Sequence, residues 1–420
     1  MTASTTVKHH RTGRVITGVR GSNIIERLDL TLVLAIGALL CGGLVLMASA
    51  SISLAERTNG NPLFYFERQT VAAVIGLAGI AVMLRVPTRV WDRLGPVLLC
   101  LSIGMLVAVL APGMGNTVNG ATRWLSVGGI SVVQVSEPAR LLMLMYISSY
   151  AVRHRAELRE RFMGFAKPML LVGVTCGLLL AQPDFGASVV MLVITLAVLF
   201  IAGARLRDFL VFSAAVTAAL ALLALSSPYR LARLTAFLDP WADPYDSGFQ
   251  LTQSLIAIGS GQWLGVGLGE SVQKLFYLPE AHTDFVFAVI AEELGLVGSL
   301  TVIGLFVVLV WRVLGIARES LLAGRLYQAN LAFGFAVWQS AQVFINIGVN
   351  MGILPTKGLT LPLVSYGRSS VVVTLLGLGI LLRIDYENRQ LTENGKSRHT
   401  DGRKVKRKKA PVRKAKTRKS

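Results

Sequence analysis

With 420 residues, 53% of them hydrophobic and only 15% charged, and a mean hydropathy of +0.60, this chain is too apolar for a soluble domain of its size and far from the composition of a disordered one. Its formal charge of +19 belongs largely to one end, because thirteen of the 42 lysines and arginines fall in residues 396–420 against the single acid Asp401. That basic run has no aromatic residue to stack a base, so it is read as a tail drawn to anionic lipid and not as a nucleic-acid module.

A bilayer core about 30 Å thick takes about 20 apolar residues per helix. Ten stretches qualify, at 30–53, 67–86, 94–111, 136–152, 168–182, 186–203, 208–226, 284–312, 327–350 and 368–384. Basic residues gather in alternate connections: Arg85, Arg89 and Arg93, then Arg153, Arg155, Arg159, Arg161 and Lys167, then Arg205 and Arg207, then Arg312, Arg318 and Arg325. That alternation puts both termini on the cytoplasmic side. The expected fold is an all-α integral membrane protein of about ten transmembrane helices, with a large extracytoplasmic loop between helices 7 and 8. Its divisions are a cytoplasmic N-terminal segment at 1–29, a polytopic membrane domain at 30–390 with 227–283 as the large periplasmic loop, and a basic, disordered cytoplasmic tail at 391–420.

Ala48-Ser49-Ala50 has the small residues of a signal-peptide cleavage site, but the polar segment before the apolar run extends to Asp29 and the run is about twenty residues long, so the first helix is read as uncleaved. Cys41, Cys100 and Cys176 lie in apolar stretches as packing residues, without disulfide or metal spacing. No fixed-period repeat or inverted pair of halves is visible, which weighs against the usual secondary-transporter architecture. Polar length is concentrated in three outer segments, 112–135, 227–283 and 351–367, and function is expected on that face.

The first of these, GMGNTVNGATRWLSVGGISVVQV, is rich in Gly, Asn and Ser and is read as a loop. Asn116 and Asn119 either donate to a ligand or belong to a plain connector. Arg123 beside Trp124 suits anchoring at head-group level or gripping an anionic head group. Glu137 and Arg140, three residues apart at the start of the fourth helix, form an intrahelical ion pair or face a ligand together. Asp184, in QPDFG, has the position of a helix cap and shares the outer face as a site or metal candidate. In the long loop, Asp239, Asp243 and Asp246 lack the alternating spacing of a calcium loop. Residues 249–259 read as a short amphipathic or re-entrant segment, and Gly265, Gly267 and Gly269 as a bend or a phosphate cradle.

The eighth helix opens on PEAHTDFVFAVIAEELG. An ionisable group in or at the edge of a membrane span costs roughly 2.5–3.5 kcal/mol on insertion scales, so Asp284 is the first candidate for chemistry. The positive end of the helix dipole beside it favours the carboxylate, which suits a general base or a cation ligand; capping is the plainer alternative. Glu292 is eight residues on, about 80° round and about 12 Å deeper on a continuous helix, close enough in direction to share a cavity with Asp284. Glu293 is turned about 180° away and is set aside. In the ninth helix Gln339, Gln342, Asn346 and Asn350 form one polar stripe, read as interhelical hydrogen bonding or as the wall of a hydrated cavity. The stripe leads to LPTKGLTLPLVSYGRSS, where Lys357, Ser365, Tyr366 and Arg368 bring polar groups to the same face.

In this order, GNTVNGATRW, SEPAR, QPDFGASVV, PEAHTDFVFAVIAEELG and LPTKGLTLPLVSYGRSS resemble the SEDS family of peptidoglycan glycosyltransferases over residues 30–390. With the closing LLRIDYENR, they are most similar to its cell-division branch, the elongation branch being the near alternative. The resemblance implies polymerisation of lipid II, the undecaprenyl-pyrophosphate-linked disaccharide pentapeptide, at the outer face of the bacterial cytoplasmic (inner) membrane, at the division septum. Asp284 matches the family's proposed catalytic aspartate. Arg123, Arg140 and Lys357, with a divalent cation such as magnesium or manganese as a further candidate, would stabilise the departing pyrophosphate; no organic cofactor is implied. Glu137 and Glu292 would orient or shape the cavity, and Asp184, Ser365 and Tyr366 complete the expected substrate-binding set. The implied partners are a class B penicillin-binding protein of the FtsI type and the divisome proteins FtsQ, FtsL, FtsB and FtsN. This chain departs from the family in Arg140, where Lys is common, and in Arg368, where Gly is common. A lipid II flippase or ion-coupled transporter is the alternative from another class, and it would need polar groups through both leaflets.

Overall fold

Apolar runs of this length can satisfy their backbone groups in lipid only as helices, and a helix stands at each of the ten stretches. The computed structural model describes residues 28–408 apart from 119, 128–129, 226–236, 247, 276 and 356–357. In chain order the described elements begin with α1 (Leu30–Asn59), α2 (Phe64–Met83), α3 (Thr88–Arg93) and α4 (Gly95–Ala108). Strands β1 (Gly115–Val118), β2 (Ala121–Val127) and β3 (Ile130–Gln134) follow. Then come α5 (Ser136–Arg153), α6 (Arg155–Glu160), α7 (Phe162–Ala181), α8 (Phe185–Ile201), α9 (Leu206–Leu225), α10 (Phe249–Ser260), α11 (Val286–Leu322), α12 (Leu326–Asn350) and α13 (Arg368–Lys408). Among the described residues six helices are long and apolar enough to cross a membrane: α1, α2, α7, α11, α12 and the Arg368–Glu393 part of α13.

Three expectations are corrected. The fold is not purely α: the segment read as a loop at 112–135 pairs as an antiparallel sheet in the order β1-β2-β3, with Asn116 opposite Trp124 and Trp124 opposite Gln134. Asn119-Gly120 and Gly128-Gly129 interrupt runs of β-branched residues, which is the pattern of hairpin turns, and Gly120 has φ 74°. The tail expected to be disordered from 391 instead continues α13 as far as Lys408; its Lys, Arg and Glu residues are good helix formers. Finally, the stretch read as one eighth helix is broken.

The break is at Gly295, where φ 64° and ψ −160° belong to a region that only glycine enters cheaply. It divides α11 into a short segment, Val286–Leu294, and a long one from Leu296. Freed backbone groups inside an apolar bundle need partners, and the chain that follows α10 supplies them. Val266 N–H donates to Glu292 O at 3.0 Å and Gly267 N–H to Glu293 O at 3.1 Å, while Leu296 and Val297 N–H donate to Gln262 O and Trp263 O at 2.9 and 3.2 Å. Positive φ values at Gly265, Gly267 and Gly269 turn this segment into the break, so the glycines act as a bend.

The two ends of the bundle differ in chemistry. At one end, Asp29 caps α1 through Leu32 N–H and pairs with Arg312 on α11. Arg325, at the start of α12, pairs with Glu387 on α13, which also accepts from Thr88 Oγ1 at 2.6 Å. The other end carries Asp284, the sheet and the 351–367 segment; α12 links the two ends and is about 36 Å long. Between them, α5, α8 and α12 meet closely at Gly334, where Leu144 and Val198 occupy the space a Cβ would need.

Gly295→Ala is expected to lower stability by about 1–3 kcal/mol through backbone strain alone, with a further steric loss because its Cβ would meet Trp263 and Leu264 backbone. Thermal unfolding of the detergent-solubilised protein reads the effect. Gly304→Ala, where a Cβ meets nothing within 4 Å, serves as the near-neutral comparison.

Candidate active site

Asp284 closes a turn in which Thr283 and Phe285 N–H both donate to Glu280 O, at 3.1 and 3.2 Å. Its own carbonyl accepts from two side chains of α12, Asn346 Nδ2 at 2.9 Å and Asn350 Nδ2 at 3.0 Å. Asn350 Oδ1 also accepts from Ala288 N–H at 3.0 Å. A helix start needs acceptors for its first N–H groups, and here one comes from the neighbouring helix, since Phe285 at the cap position makes no side-chain cap bond. Thr283 Oγ1 is turned to Glu280 Oε2 at 2.7 Å. The Asp284 side chain is half-buried, and Gly358 passes beside it so closely that a Cβ there would lie 3.0 Å from Oδ2.

The same stripe holds the facing segment. Asn346 Nδ2 donates to Leu359 O at 2.6 Å and Gln342 Nε2 to Thr360 O at 2.9 Å. Leu361 N–H donates to Ser365 Oγ at 2.8 Å, which makes Ser365 a turn-forming residue. From α2, Gln69 grips the backbone twice: Nε2 donates to Ser365 O at 3.0 Å and Oε1 accepts from Gly367 N–H at 3.2 Å. Tyr366 N–H donates to His282 O at 2.8 Å, and Tyr65, His282 and Tyr366 pack ring against ring, with centroids 4.8–5.6 Å apart. Burial lowers the His282 pKa from its ordinary value, opposed by the charge of Glu280. Burial raises that of Tyr366, opposed by the charges and hydrogen bonding of Arg368 and Arg68. Arg368 thus hydrogen-bonds Tyr366. Lys357 lies outside the described residues, as does Asn119.

Glu137 and Arg140 form an ion pair whose side chains are 5% and 1% exposed. Arg140 Nη1 also donates to Gln342 Oε1 at 3.1 Å, which accepts from Trp338 Nε1 at 2.8 Å, and the guanidinium lies 5.4 Å from the Trp338 ring centre. So deeply enclosed, Arg140 orders its neighbours and is not presented to a ligand. Arg123 on β2 donates to Gln182 O at 3.2 Å and to Pro183 O, tying the sheet to the turn before α8. Asp184 caps α8 by accepting from Ala187 N–H at 3.1 Å, the plainer of its two readings.

Glu292 stands near the C-terminal end of the short segment that Asp284 precedes, ahead of the break. Its carboxylate accepts from Ser271 Oγ and from Val272 N–H at 3.0 Å, binding the loop. Glu293, set aside from the sequence, has a structural part: it pairs with Lys274 Nζ at 2.6 Å and accepts from Ser49 Oγ of α1 at 2.7 Å. The sequence gives no local sign of this pair, because its members come from different segments. Among the described residues no three His, Cys, Asp or Glu side chains are grouped so as to hold a metal ion.

A membrane bundle with a partly buried acid on a pinned turn, at the mouth of a broken helix, is the frame of a membrane-embedded enzyme. Residues 30–390 match the family model of FtsW, RodA and SpoVE, described as cell cycle protein, and the chain belongs to that family of multi-pass membrane proteins. Relatives named "Probable peptidoglycan glycosyltransferase FtsW" include one from Thioalkalivibrio sulfidiphilus, 55% identical over 89% of this chain and 92% of its own length. Another, from Coxiella burnetii, is 50% identical over 89% of this chain and 99% of its own. Among solved structures, the chain resembles one in a study titled "Structural coordination of polymerization and crosslinking by a peptidoglycan synthase complex", with TM-score 0.70 and 32% identity, covering 86% of this chain and 99% of that one. It also resembles the rod shape determining protein RodA of Thermus thermophilus, with TM-score 0.63 and 31% identity over 86% and 97%.

Removing one member of a buried ion pair strands the other. Lys274→Met or Glu293→Leu alone is therefore expected to cost about 3–5 kcal/mol, and the double variant clearly less than the sum of the two. A double-mutant cycle of unfolding free energies in detergent checks this.

Proposed function

We propose that this chain is a peptidoglycan glycosyltransferase that polymerises lipid II into glycan strands at the outer face of the bacterial inner membrane during septal wall synthesis. The observation that carries the reading is Asp284, whose main chain is fixed by two carboxamides while the residue is only partly buried. The names of its relatives agree with it.

In the reaction, the 4-hydroxyl of the acceptor sugar attacks the anomeric carbon of the donor MurNAc. The new O–C1 bond forms as the C1–O bond to phosphate breaks, the pyrophosphate leaves with the electron pair, and the configuration inverts from α to β. Asp284 takes the hydroxyl proton at hydrogen-bonding range. Lys357, next in sequence to the Gly358 that borders Asp284, supplies charge to the departing pyrophosphate, with Arg123 of the central strand β2. Arg140 and Glu137 act by ordering Gln342 and the segment it holds. Asp284 is a single carboxylate, so a divalent cation that shares it would arrive with the pyrophosphate.

The topology proposed with this reaction has ten spans, both termini cytoplasmic and Asp284 at the outer end. Its support is the gathering of Arg153, Arg155, Arg312, Arg318 and Arg325 toward the opposite end. Between Asn330 and Gln339 the buried positions of α12 are Leu331, Ala332, Gly334, Phe335, Ala336 and Trp338, an apolar stretch that favours one-sided chemistry over a through-going transport path. The partners proposed are an FtsI-type class B penicillin-binding protein and FtsQ, FtsL, FtsB and FtsN.

Glycan synthesis from labelled lipid II in proteoliposomes, with the cognate class B penicillin-binding protein present, tests the reading. Asp284→Asn and Asp284→Ala are expected to reduce the rate by about 10²–10⁴-fold, the range for losing a general base. If Asp284→Ala polymerised at the wild-type rate while outward movement of lipid II was lost, the chain would be a transporter.

A further inference from the structure

At the end of the bundle away from Asp284, a cavity of about 240 Å³ opens where α5, α8, α11 and α12 come together. Its walls are mostly apolar, including Ile201, Leu314 and Phe333, and three polar side chains line it: Arg155, Arg318 and Asn330. Leu314 and Ile201 are 40% and 49% exposed, so the apolar wall runs out onto the surface that faces lipid. Asn330 and Asn350 are twenty residues apart on α12, about 30 Å along the helix, which sets the cavity one bilayer thickness from the Asp284 site.

Arginines on this side follow from the distribution of positive charge among membrane loops, and taken alone they would say nothing more. Asn330 adds an independent observation. It is only 8% exposed, it lines the cavity, and among the described residues its amide makes no hydrogen bond. Its amide atoms are reached from the cavity and are not sealed in the core. Arg155 and Arg318 likewise enter no ion pair among the described residues, whereas Arg153, Arg312 and Arg325 nearby in sequence each have a carboxylate. Two exposed guanidinium groups outside any ion pair among the described residues and an amide that opens into the cavity, on an otherwise apolar wall, are complementary to a ligand with an anionic, hydrogen-bonding head and a hydrocarbon body.

We propose that this cavity binds the head group of an anionic glycerophospholipid, with Arg155 and Arg318 on the phosphodiester, Asn330 on the glycerol or phosphate oxygens, and the acyl chains following Ile201 and Leu314 into the bilayer. Guanidinium groups match phosphate oxygens with paired N–H donors, and basic pockets between membrane helices are a recurrent way of retaining such lipids. The site stands apart from Asp284 and holds whichever reaction that residue performs.

The full chain in phosphatidylcholine nanodiscs containing a titrated fraction of phosphatidylglycerol is the test, with bound lipid counted by native mass spectrometry after release. Wild type is expected to retain phosphatidylglycerol selectively. Arg155→Ala with Arg318→Ala should weaken retention roughly 30-fold, from about 1 kcal/mol per basic residue near the surface. Asn330→Leu, which preserves charge and volume, should also lose selectivity. Unfolding midpoints in pure phosphatidylcholine, where the site has no anionic ligand, establish that each variant is folded. Equal retention by wild type and both folded variants would overturn the proposal. Displacement of the lipid by millimolar inorganic phosphate would overturn it too, by marking a site for free anions.

Discussion

The carbonyl of Asp284 is held by two carboxamides that reach it from one face of α12, and the arrangement of the outer end depends on that contact. Asn346 and Asn350 bind the main chain of the residue, so the turn is fixed through its backbone. Asn350 also caps the first turn of α11 through Ala288. One amide therefore does two things that usually compete: it anchors the turn and satisfies the helix that the turn begins. Gln342, two turns below Asn350, extends the scaffold to Arg140 and Thr360. Hydrogen bonds within such a buried network strengthen one another, which couples α5, α12 and both segments beside Asp284.

A short helix that starts at Asp284 must be positioned independently of the long helix that follows, and the break at Gly295 allows this. Interrupting a helix inside a bundle exposes amides and carbonyls at about 1–3 kcal/mol for each one left unmade. The segment from Gln262 to Gly267 makes those bonds, and the Lys274–Glu293 pair with Ser49 fixes the same segment to α1. The discontinuity is thus stabilised by hydrogen bonding and charge together, in the manner of broken helices that border a binding site.

Much of the helical layout was legible, because twenty-residue apolar runs have few alternatives in lipid. The polar stripe on α12 was legible as a pattern as well, but periodicity identifies a face and not what faces it; its bonds to Asp284 O, Leu359 O and Thr360 O arise from loops remote in sequence. Gln69 went unnoticed for the same reason, a lone amide on α2 whose two partners lie about three hundred residues away. The sheet was hidden by reading Asn and Gly as loop residues when they also serve as hairpin turns. Helix angles gave Glu292 a direction but not its partners, Ser271 and Val272 of the loop, which periodicity cannot name. Asp284 stood out because an acid beside an apolar span demands a reason, whereas the residues that hold its main chain could be found only in three dimensions.

The central claim is that α12 positions Asp284 for chemistry through its main chain. Steady-state polymerisation of lipid II by Asn350→Leu and by Asn346→Leu, with unfolding midpoints measured alongside, tests it most directly. The account predicts that kcat falls by about 10²-fold, the cost of a misplacement on the order of 1 Å, while KM changes little and the protein remains folded. Wild-type kcat in both folded variants would contradict it.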